Sequence, residues 1–124
     1  MSKPTILVVD DCQTIRLAVN RILTEAGYNV VNASDGEEAL TKLSRNPDLI
    51  LLDVNMPGLD GYGFCERLAE EDPVYHDLPI VFLTSENSKA LAMLGDEMGA
   101  YLRKPVCHEE LLNVLEDKLQ SQTS

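Results

Sequence analysis

Four segments of this chain carry side chains that can handle phosphorus or a hard metal ion, and each follows directly on an apolar run. The run at 6–9 leads into Asp10-Asp11, that at 49–52 into Asp53, that at 80–83 into Thr84, and Tyr101-Leu102-Arg103 leads into Lys104-Pro105. Three carboxylates brought together repel one another, and a hard dication such as magnesium relieves the repulsion while keeping open positions for water or substrate oxygens. A carboxylate beside such an open position and a lysine acts as a nucleophile toward phosphorus, because metal and ammonium neutralise charge on the equatorial oxygens during transfer. The Thr84 hydroxyl and the backbone amides near Asn55 and Ser85 suit the oxygens of a transferred phosphoryl group.

Whether these groups meet depends on the elements that carry them. The short apolar runs Ile6 to Val9, Val30 to Val31, Leu49 to Leu52 and Ile80 to Leu83 read as buried strands, with a fifth around Tyr101 and Leu102. Between them the period becomes helical. Ile15, Ala18, Val19, Ile22, Leu23 and Ala26 share one face, which Gly27 closes as a C-cap. Ser34-Asp35-Gly36-Glu37 is a Ser-x-x-Glu capping box opening a second helix, with Ala39, Leu40 and Leu43 inward and Pro47 as its stop. Further helices are predicted over about 62–70, 86–98 and 108–119, the last with Leu111, Leu112, Leu115 and Leu119 inward, followed by a polar, frayed tail over 120–124.

Strands alternating with helices predict an α/β fold: one doubly wound (βα)5 domain over residues 1–124, with a five-stranded parallel sheet and right-handed crossovers. In an open parallel sheet the ligand site lies outside the carboxyl ends of the strands. Asp10, Asp11, Asp53, Thr84 and Lys104 all fall there. Taken singly, each has a plainer reading: a helix N-terminal acidic pair, a strand-end hydroxyl, a surface lysine. Their convergence from distant segments is what points to a site.

Composition narrows the function further. With 124 residues and 44% hydrophobic content the chain can bury a core, and no apolar run approaches the length of a membrane span. MSKPTILVVDD lacks the apolar stretch of a signal peptide, which together with an odd count of three cysteines predicts a cytoplasmic protein. A formal charge of -11 repels phosphate backbones and argues against nucleic acid as a direct ligand. A calcium loop starting at Asp53 needs oxygen ligands where Pro57 and Phe64 stand. His76 and His108 have no metal-like partners nearby in sequence. Cys12 and Cys107 begin helices expected on one face of the sheet, but packed helices stand wider apart than a disulfide spans, so packing or capping thiols are expected, with Cys65 at the core boundary.

Asp10-Asp11, Asp53 within LLDVNMPGLDGY, Thr84-Ser85 and Tyr101-Leu102-Arg103-Lys104-Pro105 together resemble the receiver domain of bacterial response regulators, across essentially the whole chain. The resemblance implies the flavodoxin-like strand order 2-1-3-4-5. It also implies that Asp53 accepts a phosphoryl group from a sensor histidine kinase or a histidine phosphotransfer protein. Asp11 and Asp53 would ligate magnesium, or manganese in its place, with Asp10 acting partly through water and the backbone carbonyl of Asn55 as the remaining protein ligand. Lys104 would pair with the phosphoryl oxygens, while Thr84 and Tyr101 would form a switch exposing the face of the fourth helix, fifth strand and fifth helix to a downstream protein. Pro105 would hold the lysine-bearing turn. By layout the chain is similar to stand-alone receivers of chemotaxis and phosphorelays, signalling proteins without an output domain and not enzymes.

Two features depart from the family pattern: Gly99-Ala100 runs directly into Tyr101 where two further residues are usual, and Ser85 replaces the usual Ala or Gly. The alternatives are a phosphorylation-independent docking receiver and an aspartyl-phosphate phosphatase, the latter disfavoured because Asn55 stands where a second catalytic carboxylate is needed. A flavin carrier is disfavoured by the acidic loop after the first strand. Asn55 and Glu86, two positions beyond Asp53 and Thr84, are expected to flank an attacking water and set the lifetime of the phosphoryl group.

Overall fold

The apolar runs pair side by side. In the computed structural model, which describes residues 3–53, 61–71, 78–84, 100–103 and 106–123, five strands form one parallel sheet in the order β2-β1-β3-β4-β5. They are β1 (Thr5–Val9), β2 (Asn29–Ala33), β3 (Leu49–Asp53), β4 (Ile80–Thr84) and β5 (Ala100–Arg103). Three described helices connect them, α1 (Gln13–Glu25), α2 (Gly36–Thr41, continued by a 3-10 turn Lys42–Arg45) and α3 (Gly61–Glu70), and a C-terminal helix spans His108–Thr123. The helix expected over 86–98 lies outside the described residues.

Side chains alternate across the sheet, so each strand feeds two cores. Ile6, Val8, Leu49, Leu51, Val81, Leu83 and Leu102 pack with Val19 and Leu23 of α1 and Leu111 and Leu115 of the C-terminal helix. Leu7, Val9, Ile50, Leu52 and Phe82 face the other way, against Ala39 of α2, Leu43, and Phe64 and Leu68 of α3. Helices therefore cover both faces, as the doubly wound reading requires.

Local chemistry explains the element ends, and three expectations are corrected. The N-cap of α2 is Asp35, not Ser34: its carboxylate accepts the Glu38 amide at 2.7 Å, while Glu38 Oε1 accepts from both the backbone N–H and the hydroxyl of Ser34. The expected box is replaced by an Asp35 cap, with the return bond from Glu38 reaching one residue further back, to Ser34, and not to the N-cap itself. Ala18 of α1 and its C-cap Ala26 are exposed, and the half-buried Arg16 and Asn20 flank the inward stripe instead. The C-terminal helix runs on to Thr123 where a frayed tail is expected. Gly27 closes α1 as expected, with φ of 96° in the left-handed region that disfavours a side chain. Asn46, with φ of 55°, ends the 3-10 turn ahead of Pro47.

Tyr28 packs against the α1 side of the core, and burial first, then the negative charge of Glu116, raises its phenol pKa above the ordinary 10.0. The folded state thus favours the neutral phenol. That contribution is fully present below pH 10.0 and is lost as pH rises through the raised folded value. Tyr28→Phe is expected to flatten this alkaline loss of stability, measured as urea midpoints on either side of pH 10.0.

Candidate functional site

The pairing of β1 with β3 creates the site. Val9 stands opposite Leu52, so the next residues, Asp10 and Asp53, stand side by side at the carboxyl end of the sheet. Asp10 is fully buried and Asp53 is 3% exposed, and these are the buried charged residues among those described. Asp11, on the turn into α1, is exposed. One carboxylate oxygen from each of Asp10, Asp11 and Asp53 lies within 4.8 Å of the others.

The loop holding the first two carboxylates is pinned on three sides. The Asp10 N–H donates to the Ala33 carbonyl at 3.2 Å, extending the β1–β2 ladder by one residue. Asp10 Oδ1 accepts the Cys12 N–H at 2.9 Å, at the start of α1. The Asp10 carbonyl accepts Nη1 of Arg16 at 2.5 Å. Sequence reading passes over Arg16; its one signal is a cation sitting a turn into the helix that follows the acidic pair.

The remaining members of the predicted set stand as follows. On the neighbouring strand Asp53 lies opposite Leu83, so Thr84 ends β4 one step beyond it, and Thr84 in turn lies opposite Arg103 of β5. Tyr101 is on β5, opposite Phe82. Lys104 follows Arg103 in sequence; it lies outside the described residues, as do Asn55, Ser85, Glu86, Gly99, Pro105, His76 and the side chain of Cys65. Cys12 and Cys107 are exposed free thiols. Cys12 takes the N-cap position of α1 without a side-chain cap bond, so neither the packing nor the side-chain capping role expected of it is filled. His108 is exposed at the start of the C-terminal helix.

The donor set suits a hard cation. Three carboxylate oxygens, two of them on buried residues, match the oxygen chemistry of magnesium and offer nothing to a soft metal. No described helix is long and apolar enough to cross a membrane.

Comparison with known proteins agrees with this arrangement. Residues 6–116 match the response regulator receiver domain family, and the chain belongs to that family. Among curated relatives, the probable transcriptional regulator ycf27 of Cyanophora paradoxa is 46% identical over 114 residues, covering 90% of this chain and 46% of the relative. The alkaline phosphatase synthesis transcriptional regulatory protein PhoP of Bacillus subtilis is 42% identical over 109 residues, covering 86% of this chain and 44% of its own. The chain thus spans about half the length of the curated relatives it matches. Among solved structures, a putative response regulator from Chloroflexus aurantiacus superposes with a TM-score of 0.86 at 38% identity, covering 96% of this chain and 99% of that one. Vibrio cholerae chemotaxis protein CheY4 gives 0.84 at 38% identity, with 94% and 98% covered.

The proximity of the three carboxylates is expected to oppose folding when no dication is present. Replacing exposed Asp11 by Asn is expected to raise stability in a chelating buffer by about 0.5–1 kcal/mol, the scale of a screened surface charge interaction. The same variant should gain less stability than wild type when magnesium is added, both read from urea midpoints.

Proposed function

We infer that the protein is a phosphoacceptor in two-component or phosphorelay signalling, in which Asp53 takes a phosphoryl group from a phosphohistidine of a sensor kinase or phosphotransfer protein. The observation that carries this reading is the clustering of Asp10, Asp11 and Asp53 within 4.8 Å at the carboxyl ends of β1 and β3. Membership of the receiver family supports the same roles.

Asp10, Asp11, Asp53 and the backbone carbonyl of Asn55 would hold magnesium, with manganese a substitute. Bound there, the ion supplies charge neutralisation for the carboxylates and for the phosphoryl oxygens. An Asp53 carboxylate oxygen attacks phosphorus; the P–O bond forms as the P–N bond breaks, and the imidazole nitrogen leaves with the electron pair. Lys104 pairs with the phosphoryl oxygens. Burial of Asp53 at the strand end limits the angles of approach to its carboxylate, which favours in-line attack.

The new dianion then biases a two-state surface. Thr84, at the end of β4, bonds the phosphoryl group, and Tyr101 of β5 changes position with it. The readout is a protein contact on the face that includes β5 and the C-terminal helix. The acidity of the chain disfavours DNA as its direct ligand, although several relatives are named as transcriptional regulators. On this reading the protein is itself the phosphorylated product of the transfer, so it acts as a signalling acceptor and not as an enzyme that releases a separate product.

Incubation with magnesium and acetyl phosphate, followed by intact-mass spectrometry, tests this reading. Wild type is expected to gain one labile phosphoryl group, dependent on magnesium, and Asp53→Ala none. An adduct that persists in Asp53→Ala would move the acceptor elsewhere. Absence of any adduct in wild type would favour a phosphorylation-independent docking domain.

A further inference from the structure

In a chain with 21 acidic residues, the guanidinium of Arg16 is committed to a neutral group. Nη1 donates to the Asp10 carbonyl, and the ion pairs among described residues, Arg21 with Glu25 and Arg67 with Glu37, leave Arg16 out. Its side chain lies on the flank of α1 that turns toward β2. There it lines a cavity of about 220 Å³ with Asn32, Ala33, Ser34 and Glu38. Asn20, one turn further along α1, and Asn32 each bury an amide oxygen that has no hydrogen-bond partner among the described residues. This flank is polar and open toward solvent, so the arginine stem is not a core plug.

Two of the contacts that hold Asp10 are made by backbone N–H groups, those of Asp10 itself and of Cys12, and these survive side-chain substitution. Another belongs to Arg16. It acts on the carbonyl of the peptide joining Asp10 to Asp11, whose plane sets the direction in which Asp11 leaves the chain.

We propose that Arg16 is a positioning residue of the acidic site: by holding the Asp10 carbonyl it sets Asp10 and Asp11 in their ligating arrangement before a dication arrives. The proposal rests on the reading of that cluster as a magnesium site. Two effects of Arg16 oppose each other. Its positive charge disfavours a nearby dication, whereas a prearranged ligand set binds without the cost of ordering the loop. Positioning wins, because the guanidinium reaches the metal ligands through a main-chain carbonyl, and loss of such outer partners commonly weakens metal binding by about 10- to 100-fold.

The test is calorimetric titration of the whole chain with magnesium for wild type, R16A and R16K, alongside amide hydrogen exchange of the metal-free proteins. R16A is expected to bind magnesium about tenfold more weakly or worse. R16K, which keeps a donor of similar reach, should recover most of the loss. In metal-free R16A the Cys12 amide should exchange faster while strand amides keep their protection. R16A binding magnesium as tightly as wild type, or more tightly, overturns the proposal and leaves the metal-binding reading intact. A wild type that binds no magnesium overturns both. If R16A loses protection throughout the sheet, R16K decides: wild-type affinity upholds the proposal, and affinity as weak as that of R16A overturns it.

Discussion

Parallel pairing of β1 with β3 in a single register is the constraint on which the rest of the molecule depends. At the amino ends the two strands are tied by reciprocal bonds, with the Thr5 N–H donating to Asp48 Oδ2 at 2.8 Å and the Asp48 N–H to the Thr5 carbonyl at 2.7 Å. At the carboxyl ends the same register delivers Asp10 and Asp53 together. Slipping one strand by one residue would swap its two core-facing sets and separate the carboxylates. The apolar alternation that makes Leu7, Val9, Ile50 and Leu52 face α2 and α3 therefore also determines the chemistry.

Burying two carboxylates beside a third is unfavourable unless the surroundings answer the charge. Part of that answer is built from the chain itself: the Cys12 amide at the start of α1 bonds Asp10 Oδ1, and the Arg16 guanidinium holds the adjoining carbonyl. On the proposed function, a cation adds to that answer, and the incoming phosphoryl group, itself anionic, depends on the same cation. On the same reading, a phosphoryl dianion would shift the conformation of the neighbouring strands β4 and β5, which lie one and two positions away from β3 in the sheet.

Much of this was legible in the sequence because the informative residues sit at points where two signals coincide. Strands buried on both faces appear as continuous apolar runs, so their ends are sharp, and Asp10, Asp53 and Thr84 fall at those ends. Where one signal stood alone, it misled. Ser34 and Asp35 are both good caps and Glu37 and Glu38 both acceptable partners, so the box over α2 was degenerate until the Glu38 carboxylate chose Ser34. Ala18 and Ala26 fit an apolar stripe by type, but small side chains lose little when exposed. The long stem of Arg16 can lie half-buried while its head bonds a carbonyl six residues back, a contact that periodicity does not encode. The polar end of the C-terminal helix carries no stripe at all, and the helix extends to Thr123 without one.

A crystal structure of the protein with magnesium and beryllofluoride, a mimic of a bound phosphoryl group, tests most directly whether Asp53 is the acceptor beside a metal. The expected result is one ion held by carboxylates of the Asp10, Asp11 and Asp53 cluster and one beryllium trifluoride group joined through beryllium to an Asp53 carboxylate oxygen. An ion bound elsewhere, or the group attached to a different carboxylate, would contradict that assignment.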